Sequence, residues 1–265
     1  MKKDYNKLSV VITGCSSGIG LETTKLFISK GYKVFGLSRK PFSLEGMVHV
    51  PCDVSDEESV ASAVSTIMTQ TSQIDILVNN AGMGISGSIE NTPLSEAKKL
   101  FDINFFGTFL VTKAFLPYLK KGSKIINLGS VASRLPIAFQ CFYSASKSAI
   151  EMFSDCLRME LKPFGIQVTT VLPGDTKTGF TGSRVKSQEE NGRYSARVAK
   201  SVARMEKDEQ GGMPALSVAK VIFSVSQKKR PPQSKVVGIQ YKTIAFLNKI
   251  LPKRFVNWVL FKMYG

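Results

Sequence analysis

Histidine is nearly missing from this chain. Among 265 residues there is one, His49. Four cysteines stand at 15, 52, 141 and 156, with no CxxC pair and no metal-site spacing. A zinc centre and a Ser-His or Cys-His catalytic pair are therefore not expected. The cysteines read as reduced, buried small residues of a cytoplasmic protein. No apolar run reaches membrane-spanning length, so no spanning helix is expected. The N-terminal MKKDYNKLSVVITG has two lysines before a short apolar stretch, which reads as a first strand and not a signal peptide. No internal repeat and no low-complexity tract is visible.

Acidic residues are also scarce. Twenty Asp and Glu face 36 Lys and Arg, a formal net charge of +16. Nucleic acid, an anionic membrane surface or a phosphorylated ligand would each suit that balance. No nucleic-acid motif appears and the lysines are scattered, so nucleic acid is not expected as a partner. The length and the 43% hydrophobic content fit a single domain with a large core.

Short Val/Ile/Leu-rich runs alternate with helix-length segments. The runs lie at 8–14, 32–39, 47–54, 74–82, 123–130 and 166–174, and 234–241 offers a last strand. Near-continuous apolar strands are covered on both faces. The alternation predicts an α/β fold, a Rossmann-type doubly wound parallel sheet in one domain spanning 1–265. Residues 181–213 break the rhythm with a polar stretch, expected to be a lid or helical excursion. Residues 242–265 form an apolar and basic C-terminal extension without an acid.

The first run ends in TGCSSGIG, which spaces Gly14, Gly18 and Gly20 as G-x-x-x-G-x-G. Glycines let the backbone turn sharply and approach a ligand. The next helix offers free N–H groups and a positive dipole end to a pyrophosphate. The second run ends in Ser38-Arg39, where an acid would select NAD(H). Serine plus arginine favours the 2′-phosphate of NADP(H), with NAD(H) possible. Tyr143 and Lys147 stand four apart in YSASK, on one face of an expected helix.

Together these residues resemble the short-chain dehydrogenase/reductase family, over roughly residues 7–180. TGCSSGIG is similar to its cofactor turn, and Asp53-Val54 to its adenine-binding strand end. Asn79-Asn80-Ala81-Gly82 matches its NNAG motif. Asn104, Ser130, Tyr143 and Lys147 match its catalytic tetrad. Pro173-Gly174-Asp175-Thr176 resembles its nicotinamide loop. The resemblance implies a cofactor site of Gly14, Ser16, Ser17, Gly18, Ile19, Gly20, Ser38, Arg39, Asp53, Val54, Asn80, Ala81, Gly82, Tyr143, Lys147, Pro173, Gly174, Thr176 and Thr178. It further implies that Tyr143 is the acid/base, with a pKa drawn toward working pH by Lys147 and the oxidised cofactor. Ser130 would hold the substrate oxygen, and Asn104 would bind a water leading from Lys147 to solvent. Cys15 departs from members that carry a basic residue there, which leaves Arg39 as the main determinant of cofactor choice.

Expected pocket walls are Arg134 to Ile137, Phe139, Phe142 and Phe180, mostly apolar. They suit a small lipophilic substrate, a ketone or secondary alcohol. The lid and tail resemble those of hydroxysteroid dehydrogenase-type members, which makes a steroid the first expectation. An acyl-dihydroxyacetone-phosphate-like ketone, a 3-oxoacyl-carrier-protein and a non-catalytic NADPH-sensing role are the alternatives. The resemblance implies a homodimer or homotetramer paired through helices near 95–119 and 143–162. The tail is expected either to cover the pocket or an interface, or to touch an anionic membrane surface.

Overall fold

In the computed structural model, which describes residues 8–187 and 192–265, seven strands form one parallel sheet. They are β1 (Ser9–Thr13), β2 (Lys33–Ser38), β3 (Met47–Pro51), β4 (Ile74–Asn79), β5 (Leu119–Leu128), β6 (Gln167–Pro173) and β7 (Ser234–Val237). Their spatial order is 7-6-5-4-1-2-3. The chain moves outward from β1 in one direction, then returns to β4 and moves outward in the other. That reversal opens a crevice at the carboxyl ends of β1 and β4, where open α/β sheets bind ligands.

Alternate residues of each strand feed two cores. Val11, Phe35, Leu77 and Ile125 point to one face, and Val10, Ile12, Val34, Ile76, Val78 and Ile126 to the other. This two-sided burial is why the strands read as unbroken apolar runs. The first face is covered by α2 (Glu57–Met68), α3 (Leu94–Phe101), α4 (Gly107–Phe115) and α5 (Cys141–Glu160). The second carries α1 (Gly18–Ser29) and, later in the chain, Val218, Ile222 and Val225 of a helix over Ala215–Ser226.

Between α3 and α4 the chain winds one π-helical stretch, Asp102–Phe106, with Asn104 fully buried at its centre. The helical stretch 94–118 is long and apolar enough to cross a membrane by length and composition. The reading that no segment has that property is corrected by this helix. Here it is the crossover between β4 and β5, and Leu100, Val111 and Phe115 bury its inner side in the core.

The polar stretch after β6 is a helical excursion. A turn at Phe180–Ser183 leads to α6 (Ser195–Gln210), followed by α7 (Ala215–Ser226). Positions 188–191 of the expected lid lie outside the described residues. Two short parallel bridges anchor the excursion, Ile85–Ser86 with Val185–Lys186 and Thr176–Lys177 with Met213–Pro214. The last strand is shorter than expected. Gly238 takes φ 89° after β7, and the chain turns at once into α8 (Ile239–Ile250). Pro252 then caps α9 (Lys253–Tyr264), so the tail is two separate helices. Cys15 and Cys52 are buried as expected, but Cys141 and Cys156 are exposed because both lie on the outer side of α5.

Candidate active site

The glycine turn is built from contacts that only glycine permits. Gly14 and Gly18 take φ 66° and 53°, and a Cβ on Gly20 would lie 2.1 Å from the Gly14 carbonyl oxygen. The Thr13 hydroxyl accepts the backbone N–H groups of Asn80 and Ala81, both at 2.9 Å. The Asn80 amide donates to the Thr13 carbonyl at 2.9 Å. Asn79 donates to Asn127 and Thr112, at 2.8 and 2.9 Å, inside the sheet. The NNAG motif therefore locks the ends of β1, β4 and β5 to one another.

These strand ends open into a cavity of about 670 Å³. Gly14, Ser16, Ser17, Gly18, Ile19, Ser38, Arg39, Asp53, Val54, Asn80, Ala81, Gly82, Tyr143, Lys147, Pro173, Gly174, Thr176 and Thr178 all line it. Gly20 stands behind the turn. A dinucleotide fits this cradle, since bare backbone faces it at the turn and α1 begins there. Asp53 is suited to accept from an adenine amine. Burial pushes its carboxyl up, but hydrogen bonds from Ser55 and the charges of Arg39 and Lys99 hold it below its ordinary value.

Ser38 stands differently from expectation. It is buried, and its hydroxyl is engaged with the Lys40 carbonyl at 2.9 Å and the His49 ring at 2.8 Å. Exposed Arg39 is left as the cation of this strand end that can face a phosphate. Cys15 is fully buried against Gly36, so a side chain at that position points into the core.

On the opposite wall, Ser130 caps a short turn and accepts from Ala132 N–H at 3.1 Å. Tyr143 sits in the first turn of α5 within hydrogen-bonding reach of Ser130. One turn on, Lys147 is buried and donates to the Leu128 carbonyl at 2.9 Å. Its nitrogen lies 5.7 Å from the Tyr143 ring centre. Burial lowers the Lys147 pKa to about 8. Tyr143 goes the other way. Burial raises it to about 12, Glu209 and Asp175 add to the rise, and the Ser130 hydrogen bond and Arg184 only partly offset it. The expected lowering by Lys147 is thus reversed among the protein's own groups, because desolvation outweighs the attraction. The phenol is held protonated.

Asn104 also differs. Its side chain accepts from Met83 N–H at 2.8 Å and donates to the Met83 carbonyl at 3.0 Å and to Ser146 at 3.1 Å. Ser146 donates in turn to the Tyr143 carbonyl at 2.8 Å. The amide is a clamp between the NNAG loop and the start of α5, engaged by protein groups instead of being free to hold a water.

The chain belongs to the short-chain dehydrogenase family. The family model, described as short chain dehydrogenase, matches residues 8–189. The 3-ketodihydrosphingosine reductase of Bacteroides thetaiotaomicron is 37% identical over 262 residues, which is 97% of each chain. A probable short-chain type dehydrogenase/reductase, VdlC, of Helicobacter pylori is 37% identical and covers 91% of this chain and 92% of its own. A short-chain dehydrogenase from Streptomyces avermitilis superposes with a TM-score of 0.81 at 27% identity, over 92% of this chain and 93% of its own. This short-chain dehydrogenase is an oxidoreductase of the alcohol/ketone pair.

Its substrate wall was only partly foreseen. Ile137 and Phe180 line the cavity, and the Phe180 ring stands 5.7 Å from that of Tyr143. Arg134 instead pairs with Glu151, at 2.9 Å from its Nε, and with Ser234. Phe139 faces Tyr194 and Arg197. Met205 and Glu209 of α6, Val185, Gln140 and Tyr264 of α9 complete the wall. No local spacing marks these residues, because each arrives from a distant segment. Beneath them Arg184, its side chain fully buried, pairs with Glu209, and Tyr241 donates to Asp175 at 2.6 Å.

Proposed function

We propose that this enzyme is an NADPH-dependent reductase of a long-chain ketone, with a 3-keto sphingoid base as the leading substrate class. The observation that carries the reading is a protonated Tyr143 beside Ser130, facing a cavity roofed by Phe180, Val185, Met205 and Tyr264. A proton donor under an apolar roof suits reduction of a lipophilic carbonyl. The near full-length similarity to a 3-ketodihydrosphingosine reductase supports the choice of chain type. Nothing comparable favours the steroid expected from the lid and tail, which becomes the second substrate reading on the strength of the apolar roof alone.

The cofactor supplies the hydride. Ser130 donates to the substrate oxygen and holds it beside the phenol. Tyr143 gives that oxygen its proton, and hydride plus proton complete the secondary alcohol. Lys147, tethered at the Leu128 carbonyl, is placed to hold the nicotinamide ribose. Asn104 keeps Met83 and Ser146 in register around both groups. Arg39 takes the 2′-phosphate. Exposed Phe106, Phe109, Met152 and Met159 support subunit pairing through α4 and α5.

The test follows NADPH absorbance with a 3-keto sphingoid base, a steroid ketone, an acyl-dihydroxyacetone-phosphate-like ketone and a 3-oxoacyl thioester. The expected result is the highest kcat/KM for the sphingoid ketone. Turnover of the steroid alone would overturn the substrate class, and faster turnover with NADH would overturn the cofactor.

A further inference from the structure

The two tail helices carry a surface that the domain does not use. They meet the domain through buried Tyr241 and Leu260. On the other side α8 exposes Ile239, Phe246 and Ile250, which are 84, 63 and 61% accessible. At about 100° per residue these three fall on one stripe, with Lys242 and Lys249 along one flank. On α9, Phe255, Trp258 and Phe261 are 50, 57 and 57% accessible, and the first two rings stack with centres 6.1 Å apart. Arg254 and Lys262 interleave with them. Lys242, Lys249, Lys253, Arg254 and Lys262 are all exposed, and residues 242–265 contain no Asp or Glu.

We propose that this face docks the enzyme on an anionic lipid surface. The aromatic and aliphatic side chains would enter the boundary between headgroups and acyl chains, and the five cations would meet lipid phosphates. Charge decides the occupant. A second copy placed symmetrically on this face would bring five more cations against these five, a like-charge contact that disfavours association. A spanning helix is excluded within 239–264, because Pro252 separates two twelve-residue helices and a span needs about 20 residues. The face also adjoins the cavity. Tyr264 lines it, and Phe261 lies 5.8 Å from Arg197 of the lid helix. Docking would set the cavity mouth against the lipid, whichever ketone is reduced there.

Trp258 is the only tryptophan in the chain and reports on the face directly. The full-length protein is titrated at low salt with vesicles of phosphatidylcholine, with and without phosphatidylglycerol. The expected result is a blue shift of Trp258 emission and co-sedimentation with the anionic vesicles only, both lost at high salt. Lys249→Glu/Lys253→Glu/Arg254→Glu should weaken vesicle affinity by at least about tenfold and leave turnover of a water-soluble ketone unchanged. Absence of both shift and sedimentation at low salt would overturn the proposal. So would equal binding to neutral vesicles, or an emission already blue without lipid in a protein that sediments as a dimer through this face.

Discussion

The cofactor side and the substrate side of the cavity are held together by different means. On the cofactor side, polar groups close locally or across neighbouring strands. Thr13 meets Asn80 and Ala81, Asn79 meets Asn127, and Ser55 meets Asp53. On the substrate side, charge partners come from far apart in the chain. Arg184 meets Glu209, Asp175 meets Tyr241, and Asp208 meets Tyr264 at 3.1 Å. The first kind of wall is a set of short motifs. The second is an assembly that exists only once the lid and tail have folded over the sheet. Reaction chemistry sits on the first, and the shape of the substrate on the second.

The largest effect is expected where the two walls meet. Tyr143→Phe removes the proton donor and should cut kcat by about 10² to 10⁴, while NADPH affinity by fluorescence titration stays unchanged. Near-normal kcat would show that the donor lies elsewhere. Glu209→Ala strips a buried arginine of its partner and should destabilise the fold by about 3–5 kcal/mol in urea melts. In the protein that remains folded, KM for the ketone should rise and NADPH affinity hold; loss of NADPH affinity instead would erase the distinction between the walls. Arg39→Ala probes the opposite side. It should weaken NADP(H) by about 10- to 150-fold, the value of one charge-assisted contact, with NAD(H) and the ketone KM unmoved. Equal loss for both cofactors would assign Arg39 to structure.

The smallest effect is a pH slope. The folded Lys147 pKa lies near 8, below its ordinary value, so the unfolded chain binds more protons above that pH. Stability from this group should therefore rise from about pH 8 toward pH 10. Tyr143, raised to about 12, acts in the opposite sense and lowers stability above about pH 10. Urea melts of Lys147→Met should lack the rise, which should amount to about 1–3 kcal/mol.

This division also governs what could be read from the sequence. TGCSSGIG, NNAG and YSASK are local in the chain because their contacts are local in space. The sheet was legible because strands covered on both faces keep no polar side. Met205, Glu209 and Tyr264 carried no mark, since their place depends on where α6 and α9 land. Charge state was equally hidden. Tyr143 next to Lys147 suggested a lowered phenol pKa, but that balance is set by desolvation, which spacing does not report. Ser38 and Asn104 were found at the expected positions with their polar groups already taken by His49 and Met83. The tail division at Pro252 was legible, because proline ends a helix by its own geometry.

The π-helical stretch at Asp102–Phe106 makes this part of the chain sensitive to length as well as to composition. Such a stretch holds one residue more than regular winding needs. Deleting a single residue there would let the helix run on as ordinary α and change the phase of all that follows by about 100°. Val111 and Phe115, both fully buried, would swing off the core, and Asn104 would leave Met83. A point substitution of Asn104 removes one clamp; a one-residue deletion beside it would re-index the whole crossover. Insertions and deletions should therefore be tolerated in the turns around this helix and rejected within it.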